Sequence, residues 1–100
     1  MICNQIVLCG RIVELESLRY TPAGIPLMHC KISHASEQIE AGGKRQVQCE
    51  VNVVALDKMA LELSRCKMGD SLRITGFLSR QGRMNTKLIL HVNQLEHEFN

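Results

Sequence analysis

The chain has 100 residues, 45% of them hydrophobic, and its 12 Lys and Arg against 10 Asp and Glu give a formal net charge of +2. This length allows one small domain with a single core, and no apolar run approaches the roughly 18 residues of a membrane span. The N-terminus lacks the charged-then-apolar order of a secretory signal, so the sequence predicts a cytoplasmic protein without a membrane anchor.

Alternating apolar and polar residues predict three strands in the first half of the chain, at residues 4–16, 27–36 and 45–56. Gly10 in the first strand permits a bulge or a sharp coil. A turn is expected at residues 20–26, and Gly42-Gly43 indicates a flexible connection over residues 37–44. In the third strand the predicted buried face consists of Val47, Cys49, Val51 and Val53.

The second half begins with helical spacing and returns to strands. A helix is predicted over residues 57–67, with Asp57 as its N-cap and an apolar stripe of Met59, Leu63 and Cys66. Strands are expected at residues 71–79 and 88–95, with Gly76 marking a bend in the first of them. Their predicted inward-facing residues are Leu72, Ile74, Leu78, Leu88, Leu90 and Val92. The tail, about residues 97–100, is expected to be disordered.

Three strands, one helix and two strands make the element order of the oligonucleotide/oligosaccharide-binding (OB) fold. The sequence therefore predicts an all-β, five-stranded Greek-key OB-fold barrel over residues 1–100, with one short helix between strands 3 and 4. An SH3-like barrel lacks that helix. A split βαβ fold needs a helix after its first strand, and the sequence leaves no room for one.

The hairpin loop between the last two strands is the most informative segment for function. It carries Arg80, Arg83 and Lys87 and no acidic residue. A hairpin loop needs turn formers, which Gly82 and Asn85 supply, but it does not need three cations. An unopposed cationic loop on a small β-protein is a candidate contact to a nucleic-acid backbone.

Enzymatic and metal sites find little support in the sequence. No motif for a nucleophile, a zinc-dependent hydrolase or a phosphate-binding loop occurs, and the four histidines have no motif partner. Five cysteines are an odd number without paired spacing, so we expect buried or half-buried thiols, no metal and no cofactor. The spacing of His29, Cys30 and His34 does not converge on one tetrahedral site if they lie on a strand.

OB barrels bind single strands on the face of their second and third strands, between the first and last loops. On that map seven cations and two further residues are predicted to follow one path. These candidate nucleic-acid-binding residues are Arg19, Tyr20, Lys31, Lys44, Arg45, Gln48, Arg80, Arg83 and Lys87.

Aromatic residues that could stack on bases are scarce: Tyr20, Phe77 and Phe99. Tyr20, beside Arg19 at a turn, is either a stacking residue or a packing residue of the turn. Phe77 has the opposite parity to its apolar neighbours and is interpreted as part of a core wrinkle, a subunit contact or, less favourably, a binding residue. Binding is therefore expected to be mainly electrostatic and strongly salt-dependent.

Four segments together resemble the primosomal replication protein N (PriB) family. They are Gly24-Ile25-Pro26 after Tyr20-Thr21-Pro22, Ile32-Ser33-His34, Arg45-Gln46-Val47-Gln48-Cys49, and Gly69 to Leu78. The resemblance runs from about residue 4 to residue 96. It implies a homodimer of OB barrels that binds single-stranded DNA, stimulates the PriA helicase in replication restart and, in some bacteria, bridges to DnaT.

The resemblance also assigns positions. The family's basic hairpin falls on Arg80, Arg83 and Lys87. A strand position that carries a DNA-stacking tryptophan falls on Gln48, and a loop aromatic falls near Gly43; both aromatics are missing here. For the homodimer we expect the exposed edge of the first strand to pair with its twin. Cys3, Val7 and Cys9 are candidates for that contact, although burial in the barrel explains Cys9 equally well.

Two alternatives remain open at this point. The missing aromatics favour a protein-interaction adapter that holds a helicase and binds little DNA by itself. A third possibility is an RNA-binding barrel, since stacking grooves accept either sugar.

Overall fold

The computed structural model describes residues 2–98. Within this range six strands are formed, Ile6–Leu15 (β1), Arg19–Tyr20 (β2), Pro26–Glu40 (β3), Gly43–Leu56 (β4), Ser71–Arg80 (β5) and Leu88–His97 (β6). One helix, Lys58–Leu63 (α1), lies between β4 and β5. With six residues it is far too short to cross a membrane, and the described part of the chain has no other helix that could do so.

The barrel closes because β1 pairs along both of its edges. From Ile6 to Arg11 it pairs with β5, and from Arg11 to Leu15 it pairs with β3. The sheet order is β1-β5-β6-β4-β3-β2, and a parallel pairing around Val53 and Leu90 joins β4 to β6. The predicted five-stranded OB barrel, with one helix between its third and fourth strands, is confirmed; β2 is a two-residue addition.

The core fills the barrel with aliphatic side chains from all five main strands and the helix. Each fully buried side chain of this kind contributes roughly 1.5–3 kcal/mol through the hydrophobic effect. Among the described residues no polar or charged side chain is fully buried. The largest fully buried side chains are Ile12, Ile32, Val53, Leu63, Leu72, Ile74 and Leu90.

Gly10 lies where β1 passes closest to β3. A β-carbon at this position would collide with the Ile32 side chain and stand 2.5 Å from the carbonyl oxygen of Ser33. The register irregularity of β1 occurs further along, between Ile12 and Glu14. The bulge predicted at Gly10 is therefore misplaced, and Gly10 serves the close approach of two strands.

Gly76 does mark an irregularity, as predicted. The register of β5 against β6 shifts between Thr75 and Gly76. A β-carbon at Gly76 would collide with the backbone carbonyl of His91. The absence of a side chain thus permits the bend that curls β5 into the barrel.

The connection predicted as flexible at residues 37–44 is wrong, because β3 and β4 continue through it. They stay paired antiparallel up to Glu40 and Gly43, whereas β1 pairs with β3 only as far as Ser33. Ala41 and Gly42 make a two-residue turn with φ angles of 52° and 80°, the positive values of a type I′ hairpin turn. Residues 34–40 and 43–49 form what we call the β3–β4 ribbon.

Two predicted inward-facing residues are exposed. Cys49 lies on the β3–β4 ribbon, where no core exists to cover it. Leu88 is 59% exposed because it begins β6 beside the β5–β6 loop. The barrel covers a shorter part of each strand than the pattern suggests, and where it does so it buries consecutive residues, Val53 to Ala55 in β4 and Ile89 with Leu90 in β6.

The helix is also shorter than the predicted residues 57–67. Asp57 is at the N-cap position, as predicted, but with a positive φ of 58° and without a capping hydrogen bond to its side chain. Beyond the helix the chain continues in turns, with the Cys66 amide donating to the Leu63 carbonyl at 2.9 Å. Leu63 and Cys66 are buried as predicted, and Met59 is half-buried.

Order extends further toward the C-terminus than predicted. His97 closes β6, and the Glu98 amide donates to the Ser71 carbonyl at 2.9 Å. The predicted disordered tail is thus incorrect for these two residues, since pairing with β5 fixes their backbone. Phe99 and Asn100 lie outside the described residues.

Candidate nucleic-acid interface

The outer face of the barrel carries a cavity between the β1–β3 connection and the β5–β6 loop, with a volume of about 250 Å³. His29 and Asn52 line it from the outward side of β3 and β4, because their strand neighbours Cys30 and Val53 belong to the core. The full lining is Glu14, Glu16, Arg19, His29, Cys30, Asn52, Gln81 and Ile89. Two strands and two loops thus surround one opening, which is the place where OB barrels bind single strands.

Arg19 and Lys31 flank this opening, and each has a carboxylate partner. Arg19 Nη2 lies 3.9 Å from Glu16 Oε1, and Lys31 Nζ lies 3.5 Å from Glu14 Oε2. Surface pairs of this kind contribute only about 0–1 kcal/mol, so a phosphate can replace the carboxylate. The carboxylates nevertheless lower the positive potential at this side of the cavity.

Lys44 and Arg45 lie on the β3–β4 ribbon, away from the cavity. The stretch of β4 from Lys44 to Asn52 spans about 26 Å at the usual strand rise. Successive strand residues face opposite sides, so these two cations cannot follow one path as predicted. Each is also paired: Lys44 with Glu37 at 3.9 Å and Arg45 with Glu40 at 3.1 Å.

The end of β5 and the β5–β6 loop carry three cations without a carboxylate partner among the described residues. Arg80 ends β5, and Arg83 and Lys87 belong to the loop. Within residues 2–98 no carboxylate oxygen lies within 4.0 Å of their charged groups. We refer to Arg80, Arg83 and Lys87 as the basic hairpin.

Backbone and amide hydrogen bonds give the loop a defined shape. The Gln81 amide donates to the Lys87 carbonyl at 2.9 Å, and the Lys87 amide donates to Asn85 Oδ1 at 3.0 Å. The Asn85 side chain donates in turn to Gln81 Oε1 at 3.3 Å. Since Gln81 also lines the cavity, the loop's base with Arg80 and Lys87 stands beside the opening.

The fold thus brings some predicted site residues together and separates others. Arg19 lines the cavity, Lys31 pairs with the lining residue Glu14, and Arg80, Arg83 and Lys87 lie in or next to the loop that supplies the lining residue Gln81. The ribbon cations are remote from the cavity. The predicted even track of seven positive charges is replaced by a cluster at the barrel and a charge-compensated ribbon. The contact of all these predicted residues with nucleic acid stays a prediction.

Tyr20 is well placed to stack on a base. It forms β2 with Arg19, is 63% exposed and stands next to the cavity-lining residues. A shallow depression of about 260 Å³ adjoins its ring, lined by Arg19, Tyr20, Thr21, Pro22 and Leu27. Of the two readings of Tyr20, the exposed ring favours stacking over packing within the turn.

Gln48 and Gly43 occupy the two positions where the family resemblance expects aromatic rings. Gln48 is exposed on the ribbon, beside a cavity of about 340 Å³ that also touches Ala35 and Glu50. Gly43 begins β4 directly after the turn. At Gln48 the amide offers hydrogen bonds but no ring for stacking.

One aromatic pair on the barrel's outer face was not predicted. Phe77 of β5 and His91 of β6 are cross-strand partners whose rings stack, with centroids 4.8 Å apart and planes inclined by 9°. Burial, together with the nearby charge of His29, lowers the pKa of His91. Phe77 therefore lies outside the core, and a subunit contact at this residue stays a prediction. Its outward parity in the sequence was the available signal.

The cysteines are free thiols in different surroundings. Burial, together with nearby Cys66, raises the pKa of the Cys30 thiol to about 12, which makes it unreactive at neutral pH. Cys3 and Cys49 are exposed, so the expectation that all the thiols are at least half-buried is wrong for these two. His34 is occupied by other contacts: its ring nitrogens lie 2.6 Å from the Cys9 carbonyl and 2.8 Å from Ser36 Oγ.

Comparison with known proteins agrees with this geometry. A family model described as "another single-strand binding protein family" matches residues 4–94. The replication restart protein PriB of Nitrosomonas europaea is 39% identical over 89 residues, covering 89% of this chain and 82% of the relative. PriB of Bordetella pertussis is 35% identical over 91 residues, covering 91% and 85%.

Solved structures give the same result. PriB from Ralstonia solanacearum superposes with a TM-score of 0.90 at 36% identity, covering 98% of this chain and 100% of the other. The single-stranded DNA binding protein of Thermus aquaticus superposes with a TM-score of 0.78 at 21% identity, covering 97% of this chain and 50% of that one. The second match shows a shared fold only.

Proposed function

This chain belongs to the PriB family of replication restart proteins and to the single-strand binding protein family, and we propose that it binds single-stranded DNA during replication restart. The observation that carries the proposal is the basic hairpin, whose three cations have no carboxylate partner within residues 2–98 and whose base adjoins the cavity on the barrel's outer face. Membership of this family agrees with the prediction that the chain is not an enzyme.

In this proposal the phosphates of the strand contact Arg80, Arg83 and Lys87, and then Arg19 and Lys31 after displacement of Glu16 and Glu14. One base stacks on Tyr20, and Gln48 offers an amide further along the face. Affinity comes mainly from counterion release, because a single exposed aromatic ring contributes roughly 1–3 kcal/mol. We expect weak, salt-sensitive binding with little preference for sequence.

We further propose that two copies pair through β1. Residues 6–10 of β1 pair with β5 along one edge, while pairing with β3 begins only at Arg11. Their other edge has no strand partner within residues 2–98, and Val7 is 50% exposed beside it. A second β1 would satisfy these backbone groups, as an unpaired strand edge requires.

A contact with the PriA helicase, and with DnaT where it exists, completes the proposed role in the cytoplasm. The charge-compensated ribbon and the missing aromatics at Gln48 and Gly43 favour the second candidate, an adapter that stimulates the helicase and binds little DNA. The two candidate functions differ in the affinity for DNA that they require. The DNA-binding role requires measurable binding of oligo-dT at moderate salt, and the adapter role does not.

Sedimentation velocity with and without a fluorescent oligo-dT tests mass and binding together. We expect a particle of twice the 11.3 kDa chain mass that shifts on addition of the oligonucleotide. A parallel titration with oligo-rU tests the RNA-binding alternative. A dimer that leaves both oligonucleotides free but still stimulates PriA would establish the adapter instead, and a monomer would refute the β1 pairing.

A further inference from the structure

Three side chains with metal-binding atoms meet at the end of the barrel opposite the basic hairpin. They are Cys66 after α1, Asp70 before β5 and His97 at the end of β6. One ligand atom from each lies within 4.8 Å of the other two, and Cys66 Sγ is 3.5 Å from His97 Nε2. The fold alone brings them together, since residues 66 and 70 are distant from residue 97 in the sequence.

The spacing suits a tetrahedral cation. Zinc–sulfur and zinc–nitrogen bonds of about 2.3 and 2.1 Å at a tetrahedral angle place the two ligand atoms about 3.6 Å apart. Thiolate, imidazole and carboxylate are all ligands that zinc accepts. We propose that Cys66, Asp70 and His97 form a binding site for a thiophilic divalent cation of the zinc type.

The backbone around the site is fixed before any metal arrives. Asp70 is held against β1, because the Ile12 amide donates to the Asp70 carbonyl at 3.0 Å and the Gly69 amide donates to the Ile12 carbonyl at 2.9 Å. The Lys67 amide donates to Asp70 Oδ2 at 2.9 Å, which orients the carboxylate. His97 is positioned by its pairing with Leu72 across β5 and β6.

The surroundings favour a cation on balance. Asp70 is itself one of the three groups, and Glu62 lines the adjoining cavity, so two carboxylates lie close to the site. A cavity of about 190 Å³, lined by Glu62, Arg65, Leu95 and His97, adjoins the site and leaves room for water at a fourth position. The positive charge of Arg65 opposes the cation, but the two negative charges of Glu62 and Asp70 exceed it.

The site would act as a structural clasp. It would tie the turn after α1 to the end of β6, where the sequence predicts a disordered tail. β5 runs from Ser71 to Arg80 and spans about 30 Å, so this clasp lies far from the basic hairpin. We therefore expect metal binding to raise stability and to leave DNA binding unchanged.

The test uses the full chain carrying Cys3→Ser and Cys49→Ser, which removes the two exposed thiols. Co(II) alone is the spectroscopic probe, and we expect a thiolate-to-cobalt charge-transfer band with tetrahedral visible bands. Zn(II) at a hundred times its dissociation constant should raise the melting temperature by roughly 10 °C or more. Absence of both effects in this background would overturn the proposal.

Two pairs of variants in that background locate the ligands. Asp70→Asn and His97→Gln should each weaken Co(II) binding by at least about a hundredfold, since losing even an outer partner of a ligand costs tenfold to a hundredfold. The matched controls Asp57→Asn and His29→Gln should leave it unchanged. Melting without metal is measured first for each variant. Retention of the cobalt band in both ligand variants would show a lone thiol site and refute the assignment.

Discussion

The β3–β4 ribbon and the basic hairpin both carry cations at the ends of long antiparallel pairs, yet their electrostatic character is opposite. In the ribbon, strand register makes Glu37 a diagonal neighbour of Lys44 and Glu40 a diagonal neighbour of Arg45, and each cation pairs with that carboxylate. In the basic hairpin, the three cations have no carboxylate partner among the described residues. The positive charge of a segment therefore depends on what its register places opposite it, and a count of lysines and arginines misses this.

The difference has a thermodynamic consequence for DNA binding. A cation without a partner attracts a phosphate and releases a counterion, which gives the salt dependence of binding. A paired cation must first exchange its carboxylate, and that carboxylate then stays near the phosphate and repels it. Equal numbers of cations thus contribute unequally to affinity.

The largest effect is expected on removing the basic hairpin. Arg80→Gln, Arg83→Gln and Lys87→Gln together should reduce the slope of log affinity against log salt by about 2, at roughly 0.7 per phosphate contact with a single strand. If counterion release is the whole contribution, affinity for oligo-dT at 0.1 M salt falls about a hundredfold. Fluorescence anisotropy over a salt series measures both quantities.

The ribbon supplies the matched control for this triple variant. Lys44→Gln with Arg45→Gln removes two charges that are already compensated, so the slope should change by much less than 1. A ribbon variant that lowers the slope as much per charge as the hairpin variant would overturn the distinction between the two regions.

The next largest effect should come from releasing the ribbon cations. Glu37→Gln with Glu40→Gln removes both partner carboxylates and leaves Lys44 and Arg45 unpaired. If the bound strand reaches the ribbon, the salt slope rises by up to about 1.4 and affinity at 0.1 M salt by up to about 25-fold. An unchanged slope in the same anisotropy series would show that the strand stays at the barrel.

Tyr20 provides a contact of a different physical kind. Tyr20→Ala should weaken oligo-dT binding by about tenfold, within the 1–3 kcal/mol range for base stacking, and leave the salt slope unchanged. Tyr20→Phe keeps the ring and should bind like the unaltered chain. If both substitutions weaken binding equally, the hydroxyl group and not the ring face makes the contact.

Much of the fold could be predicted because burial imposes a pattern. The core alternation in the barrel strands, the single helix before Gly69 and the bend at Gly76 all follow from apolar periodicity and glycine placement. The length of the helix could not be predicted, because Cys66 continues the apolar spacing of Met59 and Leu63 although residues 64–66 form turns. The close approach at Gly10 depends on β3, which is distant in the sequence.

The site was harder to predict because it depends on cross-strand partners. The basic hairpin needed only its own residues, and its position beside the cavity agrees with the sequence argument. The pairing of Lys31 with Glu14 follows from the register of β1 on β3, which local sequence does not contain. The ribbon was missed for a related reason: polar residues with two adjacent glycines are typical of a loop, and Ala41-Gly42 is not a common hairpin turn.

That turn gives the smallest predicted effect. Ala41 holds a φ of 52°, a conformation that costs a side-chain-bearing residue roughly 1–2 kcal/mol. Ala41→Gly relieves this strain but adds freedom to the unfolded chain worth roughly 0.4–1 kcal/mol, so we expect a net gain of about 0.5 kcal/mol in the free energy of unfolding. Ala35→Gly, within the extended part of the same ribbon, should instead destabilise by roughly 0.5–1 kcal/mol. Urea denaturation of both variants measures these changes in the free energy of unfolding. If the two substitutions shift stability in the same direction, the proposed role of the turn in fixing the ribbon's register, and with it the charge pairs, is refuted.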